Sequence, residues 1–82
     1  MREAVIVGAV RTPLGRGKHT GALQPVHAVD LAAHSLKALI ERTGIDPALV
    51  EDVIMGCVGQ VGEQGINIGR NAALAAGFPE TV

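Results

Sequence analysis

Two runs of apolar residues without polar alternation stand out along the chain. The first extends from Ala4 to Val10, and the second, Asp52 to Val58, is apolar after its first residue. Runs of this kind are typical of strands that are buried on both faces of a parallel sheet. The pattern therefore predicts two buried strands, with Gly8 marking a point where another segment comes close.

Between these runs the spacing of apolar residues changes to three and four, which is typical of an amphipathic helix. The spacing predicts a helix from Val26 to Thr43, and Gly44 is expected to end it in the left-handed conformation. Asp46 followed by Pro47 then predicts a short capped turn.

A second helix is predicted over Ile68 to Ala76, with Asn67 as its amino-terminal cap. Gly77 is expected to end this helix, and Pro79 prevents it from resuming. The order strand, helix, strand, helix predicts an α/β fold. We expect a βαβα unit with parallel strands, a right-handed crossover and covering helices.

Two strands and two helices do not complete an α/β domain. Parallel strands need cover on both faces, and an isolated two-stranded sheet is marginally stable at best. We therefore interpret residues 1–82 as a single incomplete domain, the amino-terminal part of a larger α/β protein. Met1 is interpreted as the true start of that protein.

The composition narrows the class of partner. The 82 residues are 48% hydrophobic, and seven basic and eight acidic side chains give a net charge of −1. Nucleic acid and anionic membranes are therefore not expected as partners. One cysteine gives no disulfide framework, and the strand-like start leaves no room for a secretory signal, so a cytoplasmic location is expected.

No residue of the chain stands out as a catalytic or metal-binding group. Cys57 lies in the middle of the second predicted strand and is interpreted as a small buried apolar residue rather than a nucleophile. The histidines lack the spacing of a metal site: His19, His27 and His34. We therefore expect no catalytic residue and no metal ligand in this segment.

The glycine-rich stretches do not match the established phosphate-binding motifs. The residues after Gly8 lack the glycines of a dinucleotide fingerprint, and no Gly-Lys-Ser/Thr follows the second strand. Gly62 and Gly65 precede the second helix, so their backbone amides could hold an anion with help from Arg70. The alternative is a plain turn in which Asn67 caps the helix and Arg70 pairs with a carboxylate.

Three stretches taken together resemble the amino terminus of a thiolase: REAVIVGAVRTPLG, LIERTGIDPALVEDVIMGCVGQ and GINIGRNAALAAGFPE. The most specific elements are Arg11-Thr12-Pro13 after the first strand, Gly44-Ile45-Asp46-Pro47, and Asn67-x-x-Arg70. The resemblance covers essentially the whole chain. Ketosynthases share the implied fold and are the nearest confusable relatives.

The resemblance implies an acyl-CoA:acetyl-CoA C-acyltransferase that works by thioester exchange and by Claisen condensation or its reverse. Its substrates would be coenzyme A thioesters, and it would form a homodimer or homotetramer. The family's nucleophilic cysteine, its other catalytic motifs and its CoA-binding loop domain would all lie beyond Val82. The segment would therefore be inactive alone and bind no cofactor.

The resemblance leaves structural roles for three residues. Asn67 and Arg70 match a family element near the subunit interface and are expected to brace the loop that carries the nucleophile. Arg11 is expected to pair with a buried carboxylate from elsewhere in the fold. Two other functions remain open: a small anion- or nucleotide-binding α/β module, and a truncated fragment that only interacts with a partner.

Overall fold

The computed structural model describes residues 2–82, and Met1, the interpreted start, lies outside the described residues. Two α-helices are formed, α1 (Ala28–Thr43) and α2 (Ile68–Ala75). Two single 3-10 turns, Pro47–Leu49 and Gly62–Gln64, lie between the helices. The described chain is elongated, with extents of 48 × 24 × 23 Å.

Helix α1 confirms the prediction made from its apolar spacing. It begins two residues later than predicted, because His27 is its cap and accepts a hydrogen bond at Nδ1 from the amide of Val29 at 3.1 Å. Gly44 ends the helix with a φ of 71°, and its amide donates to the carbonyl of Ile40. The left-handed stop expected at this glycine is therefore confirmed.

The turn after α1 is also as predicted. Oδ1 of Asp46 accepts a hydrogen bond from the amide of Ala48 at 3.0 Å, and Pro47 occupies the first position of the turn. The fixed φ of proline and its missing N–H both suit this position.

Helix α2 confirms the second helix prediction to within one residue at its carboxyl end. Asn67 caps it, and Gly77 follows it with a φ of 89°. Phe78 then turns back toward the helix, because its amide donates to the carbonyl of Ala73 at 3.0 Å. This carboxyl-terminal turn places the only aromatic side chain of the protein against α2.

The core lies where α1 packs against α2. Small side chains form most of its centre and let the helices approach closely, while Phe78 fills the remaining space at 8% exposure. The centre comprises Ala33, Ala73, Ala76 and Phe78, with Leu36, Ile40, Val50, Val53 and Val82 packed around it. The residues that follow each helix therefore contribute to the same core.

The predicted βαβα unit with parallel strands is wrong for the described chain. No strand or sheet forms among residues 2–82. The runs Ala4–Val10 and Asp52–Val58 have no ladder hydrogen bonds, and Ile6 and Ile54 are 91% and 92% exposed.

The physical reason lies in what a parallel strand requires. Such a strand needs hydrogen-bonding neighbours and helices on both faces, and two strands alone give too little of either. In this structure α1 and α2 use their apolar faces against each other. Most of the two apolar runs is thus left exposed within residues 2–82, although Val53 packs against the core and Gly8 lies close to Leu39 and Thr43 of α1.

Candidate functional site

The turn Gly62–Gln64 leads from the second apolar run toward α2. Two backbone amides at this turn are used internally: that of Gln64 donates to the carbonyl of Val61 at 3.1 Å, and that of Gly65 donates to the carbonyl of Gly62 at 3.0 Å. Gly62 allows the turn by adopting a φ of 57°. The amides of Gln64 and Gly65 are therefore already engaged and do not point to the anion cradle that the glycine spacing suggested.

Two consecutive residues after this turn adopt the left-handed conformation. Ile66 has a φ of 53° and Asn67 a φ of 60°. This conformation is uncommon for asparagine and a clear outlier for a β-branched residue such as isoleucine. The side-chain amide of Asn71 stabilises it by donating to the carbonyl of Ile66 at 3.0 Å.

Asn67 performs the capping role predicted from the sequence. Its Oδ1 accepts a hydrogen bond from the amide of Arg70 at 3.3 Å, in the first turn of α2. Asparagine suits both requirements of this position, since it tolerates the left-handed conformation and caps helices well. Ile66 and Asn67, the left-handed pair, therefore lie immediately before the first residue of α2.

Arg70 joins the beginning of α2 to the end of the described chain. Its half-buried guanidinium donates from Nη1 to the carbonyl oxygen of Val82 at 2.7 Å and from Nη2 to that of Glu80 at 3.0 Å. The carboxylate partner that the sequence suggested as an alternative is replaced here by two backbone carbonyls. The planar fork of arginine fits two acceptors at once, so the side chain fixes the segment 80–82 in position.

Glu63 makes a contact that the sequence did not suggest. Its Oε1 accepts a hydrogen bond from the amide of Ala28 at 2.8 Å, across 35 residues of sequence. The same oxygen lies 3.8 Å from Nδ1 of His27. Glu63 therefore ties the turn Gly62–Gln64 to the amino terminus of α1, where a carboxylate is favoured by the helix dipole.

Cys57 is half-buried, so the prediction of a buried strand residue is wrong for it. Its Sγ lies 3.3 Å from Oε1 of Gln64 and 3.5 Å from the carbonyl oxygen of Gly59. Both are acceptors, whereas a nucleophilic cysteine needs a base or a positive charge beside it. The geometry gives Cys57 a packing and hydrogen-bonding role.

Arg11 is exposed, and its Nη1 donates to the carbonyl of Thr12 at 3.2 Å. The carboxylate partner expected for it does not occur within residues 2–82. Arg11 and Arg42 instead line an open cleft of about 620 Å³ together with Ala9, Val10 and Pro13. Any carboxylate that binds Arg11 must come from outside the described residues.

The part of the chain that the structure describes has no group of three or more His, Cys, Asp or Glu side chains able to hold a metal ion. Neither described helix combines the length and apolar character needed to cross a bilayer. Four residues around the turn and the beginning of α2 make polar contacts that hold segments together: Glu63, Asn67, Arg70 and Asn71.

A comparison with known protein families identifies the family of this chain. The family model described as "Thiolase, N-terminal domain" matches residues 4–82, and the chain belongs to the thiolase family. The resemblance inferred from the sequence motifs is thereby confirmed.

The individual relatives are named 3-ketoacyl-CoA thiolases. The proteins of that name from Shewanella denitrificans and Photobacterium profundum are 54% and 52% identical to this chain over 82 and 83 residues. The "Steroid 3-ketoacyl-CoA thiolase FadA6" of Mycobacterium tuberculosis is 52% identical over 82 residues. These matches cover 99%, 100% and 100% of this chain.

The relatives are much longer than this chain. The aligned region makes up 21% of the first two relatives and 20% of the third. The chain thus spans about a fifth of the length of the curated relatives it matches.

Proposed function

We propose that residues 1–82 are the amino-terminal scaffold of an acyl-CoA:acetyl-CoA C-acyltransferase that exchanges thioesters and makes or breaks a carbon–carbon bond by Claisen chemistry. The segment contributes no catalytic residue and is inactive alone. The family match over residues 4–82 is the observation that carries this proposal.

The contacts of Arg70 support a bracing role for the segment. They fix the backbone of residues 80–82. The resemblance implies a nucleophilic cysteine beyond Val82. Thiolate attack needs the sulfur within near contact distance of the thioester carbon, and small misplacements are costly in rate. Residues that do not contact substrate can therefore support the reaction rate by fixing the segment that precedes the nucleophile loop.

The exposed apolar runs support a role inside a larger assembly. Val5, Ile6, Val7, Ile54 and Val58 are all at least 68% exposed within residues 2–82. Exposed apolar runs of this kind call for cover by further chain or by another subunit. We expect the whole protein to be a homodimer or homotetramer, with Asn67 and Arg70 close to the interface.

The substrates proposed for the whole protein are acyl-CoA thioesters and free CoA, which residues 1–82 do not bind themselves. The names of the relatives favour a 3-ketoacyl-CoA substrate, and they include both unspecified and steroid acyl groups. The net charge of −1 gives no support to a nucleic acid partner. A cytoplasmic location is expected for a chain whose single cysteine can form no internal disulfide.

The proposal is tested by measuring CoA-dependent cleavage of acetoacetyl-CoA by the whole protein and by residues 1–82 alone. We expect turnover from the whole protein and none from the isolated segment. A chimera in which residues 1–82 replace the matching segment of the Shewanella denitrificans relative should also turn over. An inactive whole protein, or an active isolated segment, would contradict the proposal.

A further inference from the structure

We infer that Glu63 is a positioning residue: its carboxylate attaches the segment 61–67 to the amino terminus of α1 and thereby holds Asn67 and Arg70 in place. The effect on turnover rests on the proposed thiolase function. The attachment of the segment to α1 is independent of that function, because it is a contact within the chain.

The contact of Glu63 is specific in geometry. Oε1 accepts from the amide of Ala28 at 2.8 Å, and this amide is one of those that an α-helix leaves without an internal partner. The neighbouring amide of Val29 is already satisfied by Nδ1 of His27 at 3.1 Å. Two side chains therefore share the amino terminus of α1, one local and one from 35 residues away.

Few packing contacts fix the part of the segment that contains Ile66. Ile66, which follows within three residues, is 93% exposed and therefore packs against almost nothing in the described chain. It nevertheless holds a φ of 53°, which costs free energy for a β-branched residue. Attachments on both sides of Ile66 are needed to maintain this conformation.

Those attachments form a continuous chain of contacts. Glu63 binds the turn to α1, Asn71 holds the carbonyl of Ile66 at 3.0 Å, and Asn67 accepts from the amide of Arg70 at 3.3 Å. Arg70 then holds residues 80–82. Loss of Glu63 releases the first attachment, so the left-handed pair and the start of α2 become more mobile.

A simpler explanation is that Glu63 only stabilises α1. The two explanations can be separated because His27 is a weak capping residue, whereas asparagine is among the strongest. A His27→Asn change in a Glu63→Ala background strengthens the local cap of α1 without restoring the attachment of the turn. Only the positioning role predicts that this rescue is confined to α1.

The test uses the whole protein and measures amide hydrogen exchange in peptides covering residues 26–32 and 61–71, together with kcat and KM for thiolysis of acetoacetyl-CoA. Glu63→Ala should raise exchange in both peptides about fivefold, the effect of losing one capping interaction. The double variant should recover protection in 26–32 alone. Glu63→Gln retains an acceptor oxygen and should behave nearly as the wild type.

The kinetic readout should follow the exchange pattern. Glu63→Ala should lower kcat about fivefold with little change in KM, and His27→Asn should not restore it. Asp46→Ala removes a comparable cap far from the turn and should leave kcat unchanged.

Unchanged exchange in 61–71 after Glu63→Ala, or its recovery in the double variant, would overturn the inference. An active wild type with an equally active Glu63→Ala variant would overturn it as well. An inactive wild type would contradict the thiolase proposal instead, while the exchange pattern would still decide the role of Glu63.

Discussion

The guanidinium of Arg70 lies 2.7 Å from the carbonyl oxygen of Val82 and 3.0 Å from that of Glu80, so one side chain in the first turn of α2 holds the chain twelve residues later. Both bonds are made by a permanently charged donor, which makes them stronger than bonds between neutral groups. The backbone amide of the same residue donates a hydrogen bond to Oδ1 of Asn67, the cap of α2. Arg70 thus connects the strained turn before α2 to the segment after it.

Removal of the Arg70 side chain should impair the whole protein without removing any reacting group. Arg70→Ala breaks two hydrogen bonds to carbonyls and should lower kcat about tenfold or weaken dimerisation, since a charge-assisted bond contributes about 1.5–3 kcal/mol. The measurements are steady-state kinetics and sedimentation velocity.

Arg70→Lys is the matched control for charge. Lysine keeps the positive charge but lacks the planar fork, so it should restore activity only in part. Full activity and an intact dimer in the Arg70→Ala variant would refute the bracing role.

Asn67 should be difficult to replace because it satisfies two requirements at once. Asn67→Ala loses the cap on the amide of Arg70 and places an alanine at a φ of 60°, and it should cost about 1–2 kcal/mol in the free energy of unfolding. Urea unfolding of the whole protein measures this loss. Asn67→Asp keeps the acceptor and should cost much less, whereas equal losses in both variants would argue against the capping explanation.

A substitution at Gly44 measures the conformational cost of the left-handed end of α1 separately from any packing effect. A Cβ added at this position would meet no atom within 4 Å, so any cost of Gly44→Ala arises from the φ of 71° alone. That cost should be about 1 kcal/mol in the free energy of unfolding, measured by urea titration. Gly44→Asn should recover part of it, and a neutral Gly44→Ala would show that the helix end is conformationally different in solution.

Phe78 should be the most sensitive core position for stability. Among the buried residues of the described chain it is the only large side chain at the centre of the contact between α1 and α2, with 8% exposure, and the other buried residues there are alanines, which are too small to fill a cavity. Phe78→Ala should therefore cost about 3–5 kcal/mol, and Phe78→Leu clearly less. Thermal unfolding of the two variants gives the comparison, and similar melting temperatures would contradict this view of the core.

The helices could be predicted from the sequence because their signals are local. Gly44, Asp46 and Asn67 act on amides and carbonyls within four residues of themselves, so their residue types alone indicate what they do. The apolar spacing of α1 likewise reports the face that it buries. These features were correct to within two residues.

The strands and the contacts of the candidate site depend on partners that local patterns do not specify. The run Asp52–Val58 has the composition of a buried strand, yet a strand forms only where a neighbouring strand supplies hydrogen bonds, and none does so within residues 2–82. Cys57 was predicted to be buried for the same reason and is half-buried instead. The contact between Glu63 and Ala28 spans 35 residues, and nothing in the spacing of either residue indicates it.

The most direct test of the account is to locate the acyl group after the whole protein reacts with acetoacetyl-CoA in the absence of free CoA. Peptide mapping by mass spectrometry should find the acetyl adduct on a cysteine outside residues 1–82, with Cys57 unmodified. A Cys57→Ser variant should form the same adduct in the same amount. An acetyl group on Cys57, or loss of the adduct in that variant, would show that this segment supplies the nucleophile and would contradict its assignment as scaffold.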